Sequence, residues 1–212
     1  MIASVGGALW ITIKFRQNLE KKFLSFIAYL PLAIPGVATG FFIFQLLSKG
    51  GFFARISYAV GWINEATDFP DLVNDTFAFG ITLAFITMVL PFFVLLFLNV
   101  FKNERLDELS ILAQSLGATR RQVVRRIQLP ILLKKTRILI VLYFIFLLGS
   151  YEIPLILGQE SPQMLSVLII REIKQYDLDK ISEGYVVAVL YTIIVSVAVL
   201  LLFLPKRKNA LL

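Results

Sequence analysis

The chain has 212 residues, of which 58% are hydrophobic and only 17% are charged, and its mean hydropathy is +0.81. An average soluble domain is about a quarter charged, so this composition excludes a water-exposed globule and favours a polytopic membrane protein. Cysteine and histidine are absent, which excludes disulfides, Cys/His metal sites and thiol or imidazole nucleophiles, and we expect neither catalytic residues nor a cofactor.

Four apolar windows are long enough to cross a bilayer as helices: 23–47, 77–101, 137–158 and 184–205. Pro31 and Pro35 interrupt the first window and Pro91 interrupts the second, so we expect kinks there. A shorter apolar stretch, residues 2–13, is followed at once by Lys14. It corresponds to the inner half of a span, and we expect about 50 or more residues upstream of it.

The basic residues predict the orientation of these spans. Sixteen of the 21 Lys and Arg residues lie in 14–22, 102–137 and 206–208, whereas the loops 48–76 and 159–183 hold five beside nine acids. Because basic residues accumulate on the cytoplasmic side, the first stretch runs inward and the C-terminus is cytoplasmic. On a soluble protein, a net charge of +7 would suggest a nucleic-acid partner. Here the basic residues lie on alternate loops between apolar windows, which indicates a protein in a lipid bilayer, and we expect no nucleic-acid partner.

The cytoplasmic loop between the second and third windows predicts two helices joined by a sharp turn. A first apolar face comprises Leu106, Leu109, Leu112, Ala113 and Leu116. Gly117 then ends that helix at a position that favours a positive φ. The second face comprises Val123, Val124, Ile127 and Ile131, largely opposite Arg120, Arg121, Arg125 and Arg126. Such an element docks into a partner's groove or, alternatively, only rests on anionic lipid.

At this loop the chain resembles the permease subunits of type I ABC importers, whose loop has the pattern E-A-A, three residues, Gly, nine residues, Ile-x-Leu-Pro. Gly117 is followed after nine residues by Ile127, Gln128, Leu129 and Pro130. The E-A-A positions instead hold Ile111, Leu112 and Ala113, and the nearest acid is Glu108. The runs FIAYLPLAIPGVATGFFIFQLL and GSYEIPLILGQESPQMLSVLI are also similar to this family, most of all to its polyamine, ferric iron and thiamine members.

The resemblance implies an all-α transmembrane bundle in the bacterial cytoplasmic (inner) membrane, spanning 1–212 without its first one and a half spans, with a coupling loop at 102–136. It implies a second permease subunit, an ABC ATPase and an external substrate-binding protein as partners. No G-x-x-x-x-G-K-[ST] run occurs, so ATP hydrolysis belongs to a separate chain. By resemblance, the residues expected to contact the ATPase are Glu108, Ala113, Gly117, Ala118, Ile127, Leu129 and Pro130.

Glu152 is the only acid within the four windows, and it is flanked by Tyr151 and Pro154. An ionisable residue in a span is a candidate functional site, and Pro154 is expected to free a backbone carbonyl nearby. We expect these three residues to line the substrate pathway for a cationic solute such as a polyamine, although iron or thiamine also fits. Glu152 alternatively extends into headgroup water. A proton-coupled transporter would need titratable residues in several spans, so a single intramembrane acid disfavours that class. Composition does not exclude a non-transporting membrane scaffold.

The last external loop predicts a short helix over 161–176. Ser161 is a favoured N-cap residue, and Pro162 is favoured at the first helical position. The resemblance implies that this helix contacts the binding protein. Alternatively, it is a re-entrant helix that only packs against the bundle.

Overall fold

The computed structural model describes residues 1–19, 28–176 and 178–203, and every regular element in these ranges is helical. The basic residues Lys21 and Lys22, the start of the first predicted span at 23–27, and the basic end at 206–208 lie outside the described residues. The end of the last predicted span, 204–205, does so as well.

In chain order, the α-helices are α1 (Ile2–Leu19), α2 (Gly36–Leu47), α3 (Phe52–Ala59), α4 (Phe79–Asn103), α5 (Leu106–Ser115), α6 (Arg120–Val123), α7 (Leu129–Leu148), α8 (Glu152–Leu157), α9 (Leu165–Ile173) and α10 (Leu178–Phe203). Two short 3-10 helices cover Leu30–Ala33 and Ala66–Asp68, and a π-helical turn covers Val124–Gln128. The chain is therefore an all-α bundle, as expected.

Helix α4 is the centre of the bundle. Its 25 residues rise roughly 37 Å, enough to cross the hydrocarbon, and Pro91 lies inside it without ending it. One face of α4 presents a fully buried stripe at four-residue spacing: Val89, Phe93, Phe97 and Phe101. Helix α1 packs against α4 with small buried residues at the same spacing: Ser4, Ala8 and Thr12. Small residues let two membrane helices approach closely, so this contact forms one half of the core.

The other half of the core surrounds the beginning of α4, where α2 and α8 pack. Its buried members are Ile43, Leu47, Val73, Ile81, Ala84, Ile153 and Leu157. The Asp75 carboxylate accepts hydrogen bonds from the N–H of Phe79, the first residue of α4, at 2.9 and 3.0 Å. A carboxylate at a helix N-terminus is favourable, so Asp75 fixes where α4 begins.

Among the described residues, three helical segments are, by length and composition, long and apolar enough to cross a membrane: Gly36–Ala59, Phe79–Asn103 and Lys180–Leu200. The first starts later than expected, because Pro31 lies in a 3-10 helix and Ile34 and Pro35 are extended before α2 begins. The predicted prolines therefore break the first window, whereas Pro91 leaves the second continuous.

The predicted span 137–158 is divided in two, because α7 ends at Leu148 and α8 begins at Glu152. Pro154 has no N–H to donate to the carbonyl of Ser150, four residues earlier. The hydroxyl of Ser166 donates to that carbonyl instead, at 2.6 Å. The carbonyl that Pro154 was expected to free is thus satisfied by a residue of α9.

The prediction that Ser161 and Pro162 begin the last external helix was wrong, because α9 begins at Leu165 after an extended Met164. An N-cap preference is worth only about 1 kcal/mol. The start of α9 instead follows tertiary packing, since Ser166 and Val167 are both buried. Helix α9 then packs against α10 at Gly184, whose missing side chain leaves room for Ile173.

Candidate coupling surface and translocation cleft

Helix α5 ends in a glycine turn that redirects the chain. Gly117 has φ +88°, as its position after the first apolar face predicted. Its N–H donates to the carbonyl of Gln114 at 2.9 Å, and the N–H of Ala118 donates to the carbonyl of Ala113 at 3.0 Å. These two bonds form a Schellman motif, which satisfies carbonyls that a helix end leaves free. Ala113, Gly117 and Ala118 therefore belong to one structural unit.

The second helix of the loop starts at a capping box that the sequence analysis missed. The side chain of Thr119 accepts from the N–H of Gln122 at 3.4 Å, and the side chain of Gln122 accepts from the N–H of Thr119 at 2.8 Å. The spacing Thr-x-x-Gln is a recognised signature of such a box, so the sequence did contain the signal. The box fixes the direction in which the chain leaves the Gly117 turn.

The segment that carries the Ile-x-Leu-Pro motif is continuous with the following span. We expected a separate amphipathic helix, but α6, a π-turn and α7 form one helical run from Arg120 to Leu148. Pro130 lacks an N–H and its ring crowds the preceding turn, and it is the second residue after the π-turn. Ile127 and Leu129 are half-buried beside that turn, and Pro130 is exposed. The loop and α7 are therefore parts of one helical run.

A hydrogen bond joins the two helices of the loop. The amide nitrogen of Gln128 donates to the hydroxyl of Ser110 at 2.9 Å, and Ser110 is buried. Gln128 occupies the variable position of the motif, and Ser110 is one of the few polar residues on its helix face. No local pattern predicts this contact, because it depends on the angle between α5 and the π-turn.

Two ion pairs hold the loop, one joining it to α1 and one joining its two ends. Arg16, at the end of α1, pairs with Asp107 and lies over the ring of Phe101, 4.3 Å from its centroid. The ammonium of Lys135 lies 2.6 Å from a carboxylate oxygen of Glu104. In the sequence, Arg16 and Lys135 counted only towards the orientation of the spans, because their acidic partners are distant along the chain.

The first apolar face of the loop is mostly exposed. Leu106 alone is fully buried, whereas Leu109, Leu112 and Leu116 are 40%, 60% and 88% exposed. We call these three leucines the loop patch. Adjacent exposed apolar residues on a polar surface are typical of a protein contact, so the patch is available to a partner.

The loop also carries exposed charged residues. Glu108 is exposed, and its carboxylate lies 3.8 Å from Arg105, a pair that contributes little on an exposed surface. Four further arginines are exposed and have no carboxylate within 4 Å among the described residues: Arg120, Arg121, Arg125 and Arg126. The loop therefore presents an apolar patch and several exposed arginines without an acidic partner among the described residues.

At the opposite end of α7, the predicted pathway residues lie at the start of α8. Glu152 is its first residue and is exposed, Tyr151 precedes it, and Pro154 is buried. A carboxylate oxygen of Glu152 lies 2.9 Å from where a Cβ on Gly36 would be. Gly36 is the first residue of α2, so the carboxylate lies beside the N-terminus of that helix.

Glu152 lies at a cleft of about 370 Å³ that the structure places between α2, α4 and α7. The cleft is lined by the carboxylate together with Gly36, Phe85, Met88, Tyr143, Phe146 and Tyr151. The ring of Tyr143 packs 5.6 Å from that of Phe146 and 4.7 Å from that of Phe92. A carboxylate among aromatic rings suits a cation. Sequence reasoning found Tyr151 and Glu152 but missed the residues from other helices.

The comparison with protein families covers almost the whole chain. The family model described as "Binding-protein-dependent transport system inner membrane component" matches residues 4–204, which include both the Gly117 turn and the Glu152 cleft. No curated protein and no solved structure matches the chain. With its apolar spans and a loop built around Gly117, the chain belongs to the family of inner-membrane components of binding-protein-dependent transport systems, the permease subunits of ABC importers.

Proposed function

We propose that this chain is the permease subunit of an ATP-driven importer for a small organic cation of the polyamine type. It forms the pathway together with a second permease subunit, while a cytoplasmic ATPase docks on loop 102–136 and an external binding protein delivers the solute. The whole chain acts as one transmembrane domain, with its C-terminus in the cytoplasm.

The observation that carries this proposal is the helical run from Arg120 to Leu148. At about 1.5 Å per residue it is roughly 43 Å long, and it connects the Gly117 turn with the cleft at Glu152. A partner that moves the loop patch therefore moves the wall of the cleft. This supports coupling between an ATPase on one side and solute on the other.

The proposed contact with the ATPase is built from two parts. The loop patch supplies apolar surface, and the Schellman turn at Gly117 fixes the angle at which it is presented. Ile127 lies in the π-turn, and Leu129 and Pro130 follow it. These residues position the helix. Ile127 and Leu129 are half-buried and Pro130 is exposed, so they do not form the main contact surface. Glu108 and the arginines of the loop contribute charged contacts.

The chemistry of the cleft favours an organic cation over ferric iron. A hard metal ion prefers several oxygen ligands, and Glu152 is the one carboxylate that lines this cleft. Aromatic faces from Tyr143 and Phe146 instead attract ammonium groups and the methylene chains between them. Polyamines match this combination best, and thiamine, a bulkier aromatic cation, is the second candidate.

In the proposed cycle, the ATPase dimer closes on ATP binding and displaces both permease loops. Because the loop is continuous with α7, the outer cleft opens towards the binding protein and receives the solute. Hydrolysis then releases the loops and reverses the arrangement. ATP supplies the free energy, and this chain converts closure of the ATPase into helix movement.

The test is uptake into proteoliposomes that contain the chain with its companion permease and ATPase, with the binding protein outside and ATP inside. Labelled spermidine, thiamine and ferric citrate are compared at equal concentration. We expect ATP-dependent uptake of spermidine and little uptake of ferric iron. Uptake of thiamine alone would replace the polyamine assignment, and the absence of ATP-dependent uptake of every solute would favour a scaffold.

A further inference from the structure

A cleft with two connected compartments separates α1 from the helix that begins at Arg120. The polar compartment has a volume of about 500 Å³ and the apolar compartment about 460 Å³. Ile13, Lys14, Arg120 and Val124 line both compartments, so the two are continuous. Each volume lies within the range of small-molecule sites.

Two cations without a carboxylate partner stand where the compartments meet. Arg16, which also lines the polar compartment, is paired with Asp107. By contrast, neither Lys14 nor Arg120 has a carboxylate within 4 Å in the part of the chain that the structure describes. The junction is therefore positively charged and suits an anionic group. The side-chain amide of Gln114 adds a hydrogen-bond donor to the polar side.

The apolar compartment lies on the membrane side of these cations. It is lined by Gly6, Leu9 and Trp10, which precede Lys14 on α1, and by Leu129, which follows Arg120 towards the span. The ammonium of Lys14 lies 4.8 Å from the centroid of the Trp10 ring. Trp residues concentrate at membrane interfaces, and a neighbouring Lys places its charge at headgroup level.

We infer that this cleft binds an anionic phospholipid of the cytoplasmic leaflet. The phosphate lies between Lys14 and Arg120, and one acyl chain lies along Trp10 in the apolar compartment. The order of apolar surface, then cations, then hydrogen-bond donors matches the order of groups in a phospholipid. An acidic side chain of a protein would neutralise the cations but leave the apolar compartment uncovered. The inference is independent of the transported solute.

The test uses Trp10 as a fluorescent reporter. Trp62, the other tryptophan of the chain, is changed to phenylalanine, and the complete protein is reconstituted in phosphatidylcholine vesicles. Phosphatidylglycerol or phosphatidylcholine with brominated acyl chains is then added at increasing mole fraction. We expect the brominated anionic lipid to quench Trp10 at a several-fold lower mole fraction. Lys14→Gln and Arg120→Gln should each reduce this preference about five-fold.

The matched control is Arg121→Gln, which removes an exposed arginine that does not line the cleft. The preference is calculated within each variant, because loss of Lys14 alters the fluorescence of Trp10 itself. Equal quenching by the two lipids would overturn the inference, and so would an equal loss in Arg121→Gln, which would indicate a diffuse surface charge. Binding of soluble glycerophosphate without quenching by either brominated lipid would also overturn it, in favour of a bare phosphate site.

Discussion

The two ends of the helical run from Arg120 to Leu148 are built in opposite ways. At the end that follows Gly117, a Schellman turn, a capping box and the Ser110–Gln128 hydrogen bond fix the loop. At the other end, the helix stops before Glu152, whose carboxylate has no ion pair among the described residues. One end is therefore held by several local bonds, whereas the other leaves a carboxylate without an ion pair among the described residues. Under the proposed function, the first end receives force from the ATPase and the second binds solute.

Of the substitutions at the two ends of the helix, Gly117→Val is expected to have the largest effect on ATPase binding and uptake. Two glycines of the chain lie in the left-handed region at the end of a helix, Gly117 at φ +88° and Gly61 at φ +78°. Both form Schellman bonds, and a Cβ at either would meet no atom within 4 Å. A β-branched residue therefore strains both turns through the backbone alone, by about 1–3 kcal/mol.

Gly61→Val is thus a control with the same strain in the external loop. We expect both variants to lose similar thermal stability and to insert at similar levels. Only Gly117→Val should lose co-purification of the ATPase, together with at least about ten-fold of the uptake rate. Equal loss of uptake in both variants, with ATPase binding intact, would show that the Gly117 turn has no special part in coupling.

At the outer end, Glu152→Gln is expected to raise the KM for the solute about ten-fold, because a charge-assisted contact contributes about 1.5–3 kcal/mol. ATPase binding should not change, since the loop lies at the other end of the helix. Glu160→Gln is the control, because Glu160 is an exposed acid outside the cleft. An unchanged KM in Glu152→Gln would remove the residue-level support for a cationic solute.

The smallest effect, a change in the free energy of unfolding, is expected from removing the hydrogen bond between Ser110 and Gln128. Ser110→Ala and Gln128→Leu should each lower the free energy of unfolding by about 1 kcal/mol, and a double-mutant cycle should give a coupling of about 0.5–1.5 kcal/mol. Ser115→Ala is the control, because the Ser115 hydroxyl bonds only within its own helix. Additive effects of the two substitutions would show that the hydrogen bond does not tie the helices together.

The sequence predicted the features that local chemistry determines. Apolar windows predicted the spans at Gly36–Ala59, Phe79–Asn103 and Lys180–Leu200, although not their boundaries. Gly117 was predicted to take a positive φ because only glycine does so without strain. Thr119 and Gln122 carried an equally local signal that was overlooked.

Contacts between distant segments could not be predicted in the same way. Pro154 contributes to the separation of α7 from α8, because it cannot donate to the carbonyl of Ser150. That carbonyl is satisfied only because the hydroxyl of Ser166, in another helix, donates to it. The aromatic wall around Glu152 likewise combines Phe85 from α4 with Tyr143 from α7. Hydropathy specifies that such residues lie in a membrane, and only packing specifies which of them meet.

The central claim, that the run from Arg120 to Leu148 moves as one rigid body, is tested most directly by distances between spin labels. The chain has no cysteine, so cysteines placed at Arg121 and Phe146, both exposed, are labelled selectively. A second pair joins Phe146 to Phe41, which is exposed on α2. Both distances are measured in the complex with the ATPase, with and without ATP.

If the helix is rigid, the distance from 121 to 146 changes by less than about 2 Å on ATP binding, while the distance from 146 to 41 changes by about 5 Å. The opposite result, a large change within the helix and none across the cleft, would mean that the π-turn bends and that the loop does not move the outer wall. That outcome would contradict the account.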